Sequence, residues 1–346
     1  MSETQDEPDS RRHGQDLELA ALEPWMAANV AGYAGPLEVR RFHGGQSNPT
    51  YQLVTPAARY VLRRQPSGRL LASAHAVDRE FRAIAALHPS GFPVPRPFGL
   101  CRDEQVIGAM FYVMELVEGR IFREPTLASV APPDRRKIYF DMLGVMARLH
   151  AVDSASVGLA DFGRPGNYMA RQIHRWTGQY RASETQRLET VERLIEWLPA
   201  TTPAQEQTSI VHGDFKIDNV IIRADAPRLA AVLDWELSTL GDPLADFAYL
   251  MMNWVNGPLA EIDLAALGLP TLRECADEYC RLTGRPALPK LDWYFSYNFF
   301  RSACILQGIV GRARDGTANS TEAASFAERV PLLAATAWRF AERAGA

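Results

Sequence analysis

The chain has 346 residues, 47% of them apolar, enough to bury the cores of two packed lobes. With 37 basic against 41 acidic residues the net charge is -4, which argues against a nucleic-acid-binding surface or a polybasic membrane patch and favours small-molecule chemistry. Cys101, Cys275, Cys280 and Cys304 form no CxxC pair and no zinc-like spacing, the usage expected of inert thiols in a reducing compartment.

Residues 1–18, "MSETQDEPDSRRHGQDLE", are charged and lack an apolar h-region, so a frayed tail is expected rather than a signal peptide or an anchor. No window reaches the ~18 consecutive apolar residues of a membrane span. A cytoplasmic protein with no membrane partner is the expectation. "LEVRRF" (37–42), "TYQLVT" (50–55) and "RYVLRR" (59–64) predict three short strands joined as an antiparallel meander. Between Ser73 and Leu87, Val77, Phe81, Ile84 and Leu87 recur at helical spacing, with Asp78, Arg79, Glu80 and Arg82 on other faces. After the Pro-rich "FPVPRPFG", the run "FYVMELVEG" (111–119) reads as a further strand that ends at Gly119. Beyond it the pattern is mostly helical, as in the stripe Ile138, Met142, Val145 and Leu149, broken by β-like runs around "IVHGDFKIDNVII" (210–222) and "LAAVLDW" (229–235). The predicted fold class is α+β, with a small antiparallel β-rich lobe over 19–117 and a larger α-rich lobe over 118–346.

Between the two β-branched runs of 210–222 stand His212, Gly213, Asp214, Lys216, Asp218 and Asn219. A buried hairpin whose turn is made by Gly213 and Asp214 would explain the island alone. Twenty residues after Asp214, however, "VLDWE" puts Asp234 at the end of a second apolar strand. Adjacent strand ends presenting Asp214, Asn219 and Asp234 supply one acid to orient a hydroxyl, and an amide and a second acid as hard oxygen ligands for Mg²⁺.

The motifs "HGDFKIDN" and "LDWELS" resemble the catalytic core of the protein-kinase-like bilobal fold, in its aminoglycoside phosphotransferase and choline kinase branch. "GGQSNPTYQL", "DREF", "RQIHRW" and "GDPLADFAYL" further resemble the kinase domain that precedes an acyl-CoA dehydrogenase domain in some proteins, and the likeness covers roughly residues 36–310. The resemblance implies an ATP- and Mg²⁺-dependent kinase acting on a small hydroxylated molecule. Asp214 would hold the acceptor hydroxyl, Asn219 and Asp234 would bind the metal, and Asp246 would brace the catalytic loop. His212 is expected to act as a strut of that loop.

For the nucleotide, Gly44, Gly45, Gln46, Ser47 and Asn48 occupy the place of the phosphate-covering loop, although any hairpin would also suit them. Arg63 stands where the family carries Lys, with Glu80 as its expected ion-pair partner; a plain salt bridge between the two remains the alternative. Met114 to Val117 match the inter-lobe hinge, where backbone groups of Glu115 and Val117 would meet adenine. In "GNYMARQIHRWTGQY" (166–180), Tyr168, Arg171, Arg175 and Trp176 are candidate acceptor-binding residues, and a plain amphipathic helix accounts for the aromatics equally. That segment holds several cations and no acid, which favours an anionic or neutral acceptor such as a hydroxy acid or its thioester. The alternatives are a nucleotide-binding pseudokinase and a true aminoglycoside phosphotransferase.

Overall fold

β-branched and aromatic residues of the first third pair into one five-stranded antiparallel sheet in the computed structural model, which describes residues 17–42, 48–66, 76–315 and 323–346. In chain order the elements are α1 (Leu19–Asn29), β1 (Glu38–Arg41), β2 (Thr50–Val54), β3 (Arg59–Arg64), α2 (Val77–Leu87), β4 (Pro97–Cys101), β5 (Phe111–Glu115) and α3 (Pro132–Ala151). They continue as α4 (Tyr168–Ser183), α5 (Glu189–Ala200), β6 (Ser209–Val211), β7 (Val220–Ile222), β8 (Leu229–Val232) and β9 (Thr239–Gly241). The last helices are α6 (Pro243–Leu250), α7 (Met252–Val255), α8 (Leu272–Thr283), α9 (Leu291–Arg314) and α10 (Ala323–Arg343). The architecture is α+β. Among the described residues no helix is long and apolar enough to cross a membrane.

Two compact units make up the chain, and they are not colinear with it. The first comprises the described residues up to Arg148 together with Asp153–Ala160 and Lys216–Ser238. Its sheet order is β1-β2-β3-β5-β4, with Thr50 opposite Arg63 and Leu62 opposite Val113. The predicted meander is therefore present. Leu22 and Met26, one helical turn apart on α1, pack with Leu53, Leu62, Phe111 and Val113 in a buried cluster. Strand alternation then puts Arg63 on the face opposite Leu62, which is where α2 presents Glu80. The β7–β8 hairpin joins this unit because Leu229 N–H donates to the Asp141 carboxylate of α3 (2.7 Å) and Val232 N–H to the Pro93 carbonyl (2.8 Å).

The run 111–119 is a strand only as far as Glu115. Beyond it Gly119, at φ 159°, lies so close to Ile221 and Ile222 that a Cβ would meet Ile221 at 2.4 Å, and Arg120 bridges Ile222 instead. The helix expected over 73–87 begins at Val77, with Ala76 as its non-helical N-cap, and residues 73–75 lie outside the described residues.

The second unit comprises Leu149–Val152, Asp161–Phe215 and the described part of Thr239–Ala346. The α9–α10 pair and α4 build its helical core, with Phe295, Phe299 and Phe340 in ring contact. β6 and β9 pair antiparallel, Ile210 opposite Leu240, and deliver the chain to His212 and to Asp242. Asp242 caps α6, accepting from Leu244 N–H ahead of Pro243 in the first turn, so both start signals act together.

Candidate active site

In the first unit the β7–β8 ladder sets Val220 opposite Val232, and Leu233 N–H donates to the Asn219 carbonyl at 2.8 Å. Asn219 and Asp234 are thereby brought next to each other at the open end of the hairpin. Asp234 has φ 64° and ψ 61°, a left-handed backbone that costs a non-glycine residue of order 1 kcal/mol or more and recurs at functional sites. The turn after it is pinned by Trp235, whose indole N–H donates to the Val232 carbonyl (3.0 Å) and whose ring meets Phe92 edge-on.

The Arg63 guanidinium spans two carboxylates of this unit. Its Nη2 donates to Asp234 Oδ1 at 2.7 Å, and its Nε lies 3.1 Å from Glu80 Oε2. Burial opposes the charge on Arg63, and Glu80 and Asp234 together outweigh it, holding the guanidinium above its ordinary range. Burial likewise pushes the Glu80 carboxyl up, against the pull of Arg63. Arg64 points to the other face, near the carbonyls of Gln65 and Ile107.

Of the expected nucleotide residues, Gly44, Gly45, Gln46 and Ser47 lie outside the described residues. Asn48 is fully buried, and neither its Oδ1 nor its Nδ2 has a hydrogen-bond partner among the described residues. Glu115 is exposed; its backbone N–H donates to the Arg96 carbonyl (2.8 Å) and its side chain accepts from Arg96 N–H (3.1 Å). Val117 follows it two residues beyond the end of β5.

In the second unit the loop after β6 turns at Gly213, φ 83°, a conformation that favours glycine. Asp246 of α6 accepts both the His212 N–H (2.6 Å) and the Gly213 N–H (2.8 Å). Behind it His150 Nε2 lies 3.4 Å from Asp246 Oδ2, and His150 Nδ1 lies 2.7 Å from the Tyr279 hydroxyl. Burial works against the Asp246 charge, but His150, His212 and the Gly213 N–H overcome it and lower its pKa. The His212 ring is buried, and its Nδ1 accepts the backbone N–H of Asp214 at 3.1 Å, as a strut of the loop would. Arg301 of α9 donates to the Gly213 carbonyl at 2.6 Å, and the Tyr249 hydroxyl donates to Asp214 Oδ1.

The acceptor candidates also lie in this unit. Tyr168 is buried, with its ring so close to Gly241 that a Cβ there would meet it at 2.9 Å. Arg171 donates to the carbonyls of Gly166 and Arg164, closing the turn that leads into α4. Arg175 is exposed and stacks 5.0 Å from the Trp176 ring, which Arg301 also approaches at 5.6 Å. A separate cavity of about 640 Å³, bordered by Thr201, Lys290, Trp293 and Arg343, contains none of the residues singled out from the sequence.

A model of the phosphotransferase enzyme family (APH) matches residues 38–279. The chain belongs to the phosphotransferase enzyme family. Mouse acyl-CoA dehydrogenase family member 10 is 42% identical over 333 residues, which is 94% of this chain and 31% of that protein. Rat acyl-CoA dehydrogenase family member 11 is 37% identical over 339 residues, 94% of this chain and 44% of that one, so this phosphotransferase spans less than half the length of either relative. A crystal structure from Ralstonia eutropha JMP134, provisionally assigned as an aminoglycoside phosphotransferase, matches at 44% identity and TM-score 0.86, covering 94% of this chain and 99% of that one. Spectinomycin phosphotransferase, solved with ADP and spectinomycin, shares the fold at TM-score 0.63 and 11% identity, covering 94% and 99% of the two chains. Choline kinase from Cryptosporidium parvum Iowa II shares it at TM-score 0.64 and 11% identity, covering 94% and 96%.

Three helical residues that contact the Asp214 loop or its brace Asp246 escaped the sequence reasoning: Tyr249, Arg301 and His150. Tyr249 carried a usable signal, since it follows Asp246 by one helical turn in "GDPLADFAYL". Arg301 stands as a lone cation in "YFSYNFFRSACIL", a conspicuous charge with no local clue to its partner.

Proposed function

We propose that this phosphotransferase transfers the γ-phosphoryl group of Mg·ATP to a hydroxyl of a small anionic or neutral metabolite, a hydroxy acid or a hydroxyacyl thioester. The observation that carries the proposal is the Asp214 loop, whose backbone is fixed by Asp246 and Arg301 while the carboxylate stays half-exposed. Phosphoryl transfer spreads charge over the phosphoryl oxygens, so positioning matters more than base strength, and a carboxylate held in place suffices. In this role Asp214 orients the acceptor hydroxyl and takes its proton.

Asn219 and Asp234 fit a Mg²⁺ site. Both offer hard oxygen donors from neighbouring positions, and Asp234 already holds the positive charge of Arg63 at 2.7 Å. Among the described residues no three His, Cys, Asp or Glu side chains form a closed metal cage, and Mg²⁺ ordinarily completes its shell with phosphate oxygens and water. When bound there, the ion would neutralise phosphate charge. Arg63, steadied by Glu80, can fork onto phosphate oxygens. Asn48 with Gly44, Gly45, Gln46 and Ser47 would cover the phosphates, and the backbone of Glu115 and Val117 would meet adenine. Tyr168, Arg171, Arg175 and Trp176 would form the acceptor side, with Arg175 the exposed cation that could reach an anionic substrate.

The test is Mg·ATP consumption across 3-hydroxybutyrate, 3-hydroxybutyryl-CoA, glycerol, choline and kanamycin. Turnover with a hydroxy acid or its thioester, and none with kanamycin, is the expected result. Turnover confined to kanamycin would overturn the acceptor class alone. The pseudokinase alternative draws on Arg63, which replaces Lys and is engaged by Asp234; tight ATP binding with no consumption in any arm would establish it.

A further inference from the structure

Arg63 lies between two carboxylates and is well aligned with only one of them. Its Nη2 donates to Asp234 Oδ1 at 2.7 Å. Its Nε, 3.1 Å from Glu80 Oε2, is buried and lacks the alignment of a hydrogen bond. The Arg63 side chain is 12% exposed and that of Glu80 1%, so the pair meets little water that would make up the missing bond. A guanidinium is able to fork onto one carboxylate through Nε and an Nη together, yet this one directs its best bond to Asp234.

Asp234 is the less movable of the two partners. Its left-handed backbone, φ 64°, leads straight into Trp235, whose indole N–H donates to the Val232 carbonyl. Arg63 reaches it from β3 on a flexible stem, and a turn of the guanidinium would bring Nε into line with Glu80. Charge decides what such a turn does. A divalent ion on the Asp234 carboxylate would face the guanidinium as a like charge, and the phosphates of a nucleotide standing between the two cations would remove that repulsion.

We propose that Arg63 guards the metal position: in the nucleotide-free protein it occupies Asp234 and keeps free divalent ions off, and the phosphates of an arriving metal–nucleotide complex draw it into line with Glu80, leaving Asp234 to the ion; the proposal rests on the kinase function above. No covalent bond changes. Asp234 thus turns to a metal only in the presence of the nucleotide, and the two bind cooperatively.

The experiment titrates Mn²⁺ alone into nucleotide-free protein and follows its electron paramagnetic resonance signal, with circular dichroism as the check on folding. Arg63→Met should bind Mn²⁺ about 10- to 100-fold more tightly than wild type, the factor expected when a charge-assisted bond no longer has to be given up. Arg63→Lys, which keeps the charge, should stay within about three-fold of wild type. Arg64→Met removes the same charge from the other face of β3 and should stay within about two-fold. Adding Asp234→Asn to Arg63→Met should abolish the gain. Affinity in Arg63→Met within two-fold of wild type overturns the proposal. So does a gain that survives Asp234→Asn, or one that appears equally in Arg63→Lys or Arg64→Met. Wild type alone gives a second measurement that does not depend on the Met variant folding: the Arg63 Nε–H nuclear resonance, assigned by its loss in Arg63→Lys, should move with Mg·ADP and not with Mg²⁺ alone. A resonance that moves equally with both overturns the proposal. Nucleotide binding indifferent to Mg²⁺ in every protein would instead overturn the metal role of Asp234 in the kinase function, a failure distinct from the others.

Discussion

Replacing Asp246 by Asn tests whether the loop carrying Asp214 is held as the structure shows. The carboxylate accepts two successive backbone N–H groups, at 2.6 and 2.8 Å, in a buried setting. An amide keeps one acceptor oxygen and turns an NH₂ group toward the other N–H. One charge-assisted bond of about 1.5–3 kcal/mol is lost, and a buried donor is left unpaired at a further ~1–3 kcal/mol. Asp246→Asn should therefore destabilise the second unit by about 2.5–6 kcal/mol, a large share of the ~5–15 kcal/mol typical of a domain. Urea denaturation measures the total, and hydrogen exchange at the His212 and Gly213 amides localises it. The pH dependence has a definite sign. Asp246 has a lowered pKa in the folded protein, so its contribution is complete above the unfolded carboxyl value of about 3.9 and is lost as pH falls through the lower folded value. The gap between wild type and variant should thus narrow only in acid. A destabilisation below about 1 kcal/mol at neutral pH, with unchanged exchange at both amides, would refute the bracing argument.

Four further outcomes are expected. Asp214→Asn should lower kcat by about 10² to 10⁴ while leaving ATP affinity within a few fold, measured by steady-state kinetics and calorimetry. Asp234→Asn and Asn219→Ala should weaken Mg²⁺-dependent nucleotide binding; titrations whose Mg²⁺ dependence matches wild type would remove both from the site. Arg63→Lys puts a compact ammonium where a guanidinium spans Glu80 and Asp234, so KM for ATP should rise roughly 10-fold with the fold intact by circular dichroism. Arg175→Ala should raise KM for an anionic acceptor and not for ATP, whereas Arg171→Ala, which unties the carbonyls of Gly166 and Arg164, should lower thermal stability as well.

The sequence displayed the first three strands clearly, because their apolar alternation is bounded by turn residues and adjacent strands pair locally. The Arg63–Glu80 pairing was expected from the family resemblance, and in the structure it forms where one strand face meets one helix face. β4 was hidden by the Pro-rich run before it. It lies at the sheet edge with Pro97 as its first residue, a place where the missing N–H costs no ladder bond. α1 was hidden by Pro24 within the helix, although Leu22 and Met26 both point into the core. Asp234 was legible from spacing, but its left-handed backbone was not, because no glycine marks it.

The partners of the Asp214 loop show where such reading stops. Asp246, Tyr249 and Arg301 are 33, 35 and 88 residues from the loop atoms they bind, and only the first two lie within a motif. Arg301 illustrates the difficulty: a cation within an aromatic helical run usually extends its head to water, but here it is buried and donates to a carbonyl across the unit. Nothing local to "NFFRSACIL" distinguishes the two outcomes, because the deciding term is the unpaired Gly213 carbonyl that would otherwise be left buried. His-Gly-Asp alone makes a hairpin turn, as the bland interpretation of the sequence has it. It becomes a rigid loop only where a carboxylate takes its two N–H groups, a guanidinium takes its carbonyl and a phenol takes its side chain. Chains that carry the short motif but lack acceptor and donor residues equivalent to Asp246 and Arg301 should therefore expose those backbone groups to water and exchange their amides rapidly, whatever their overall fold.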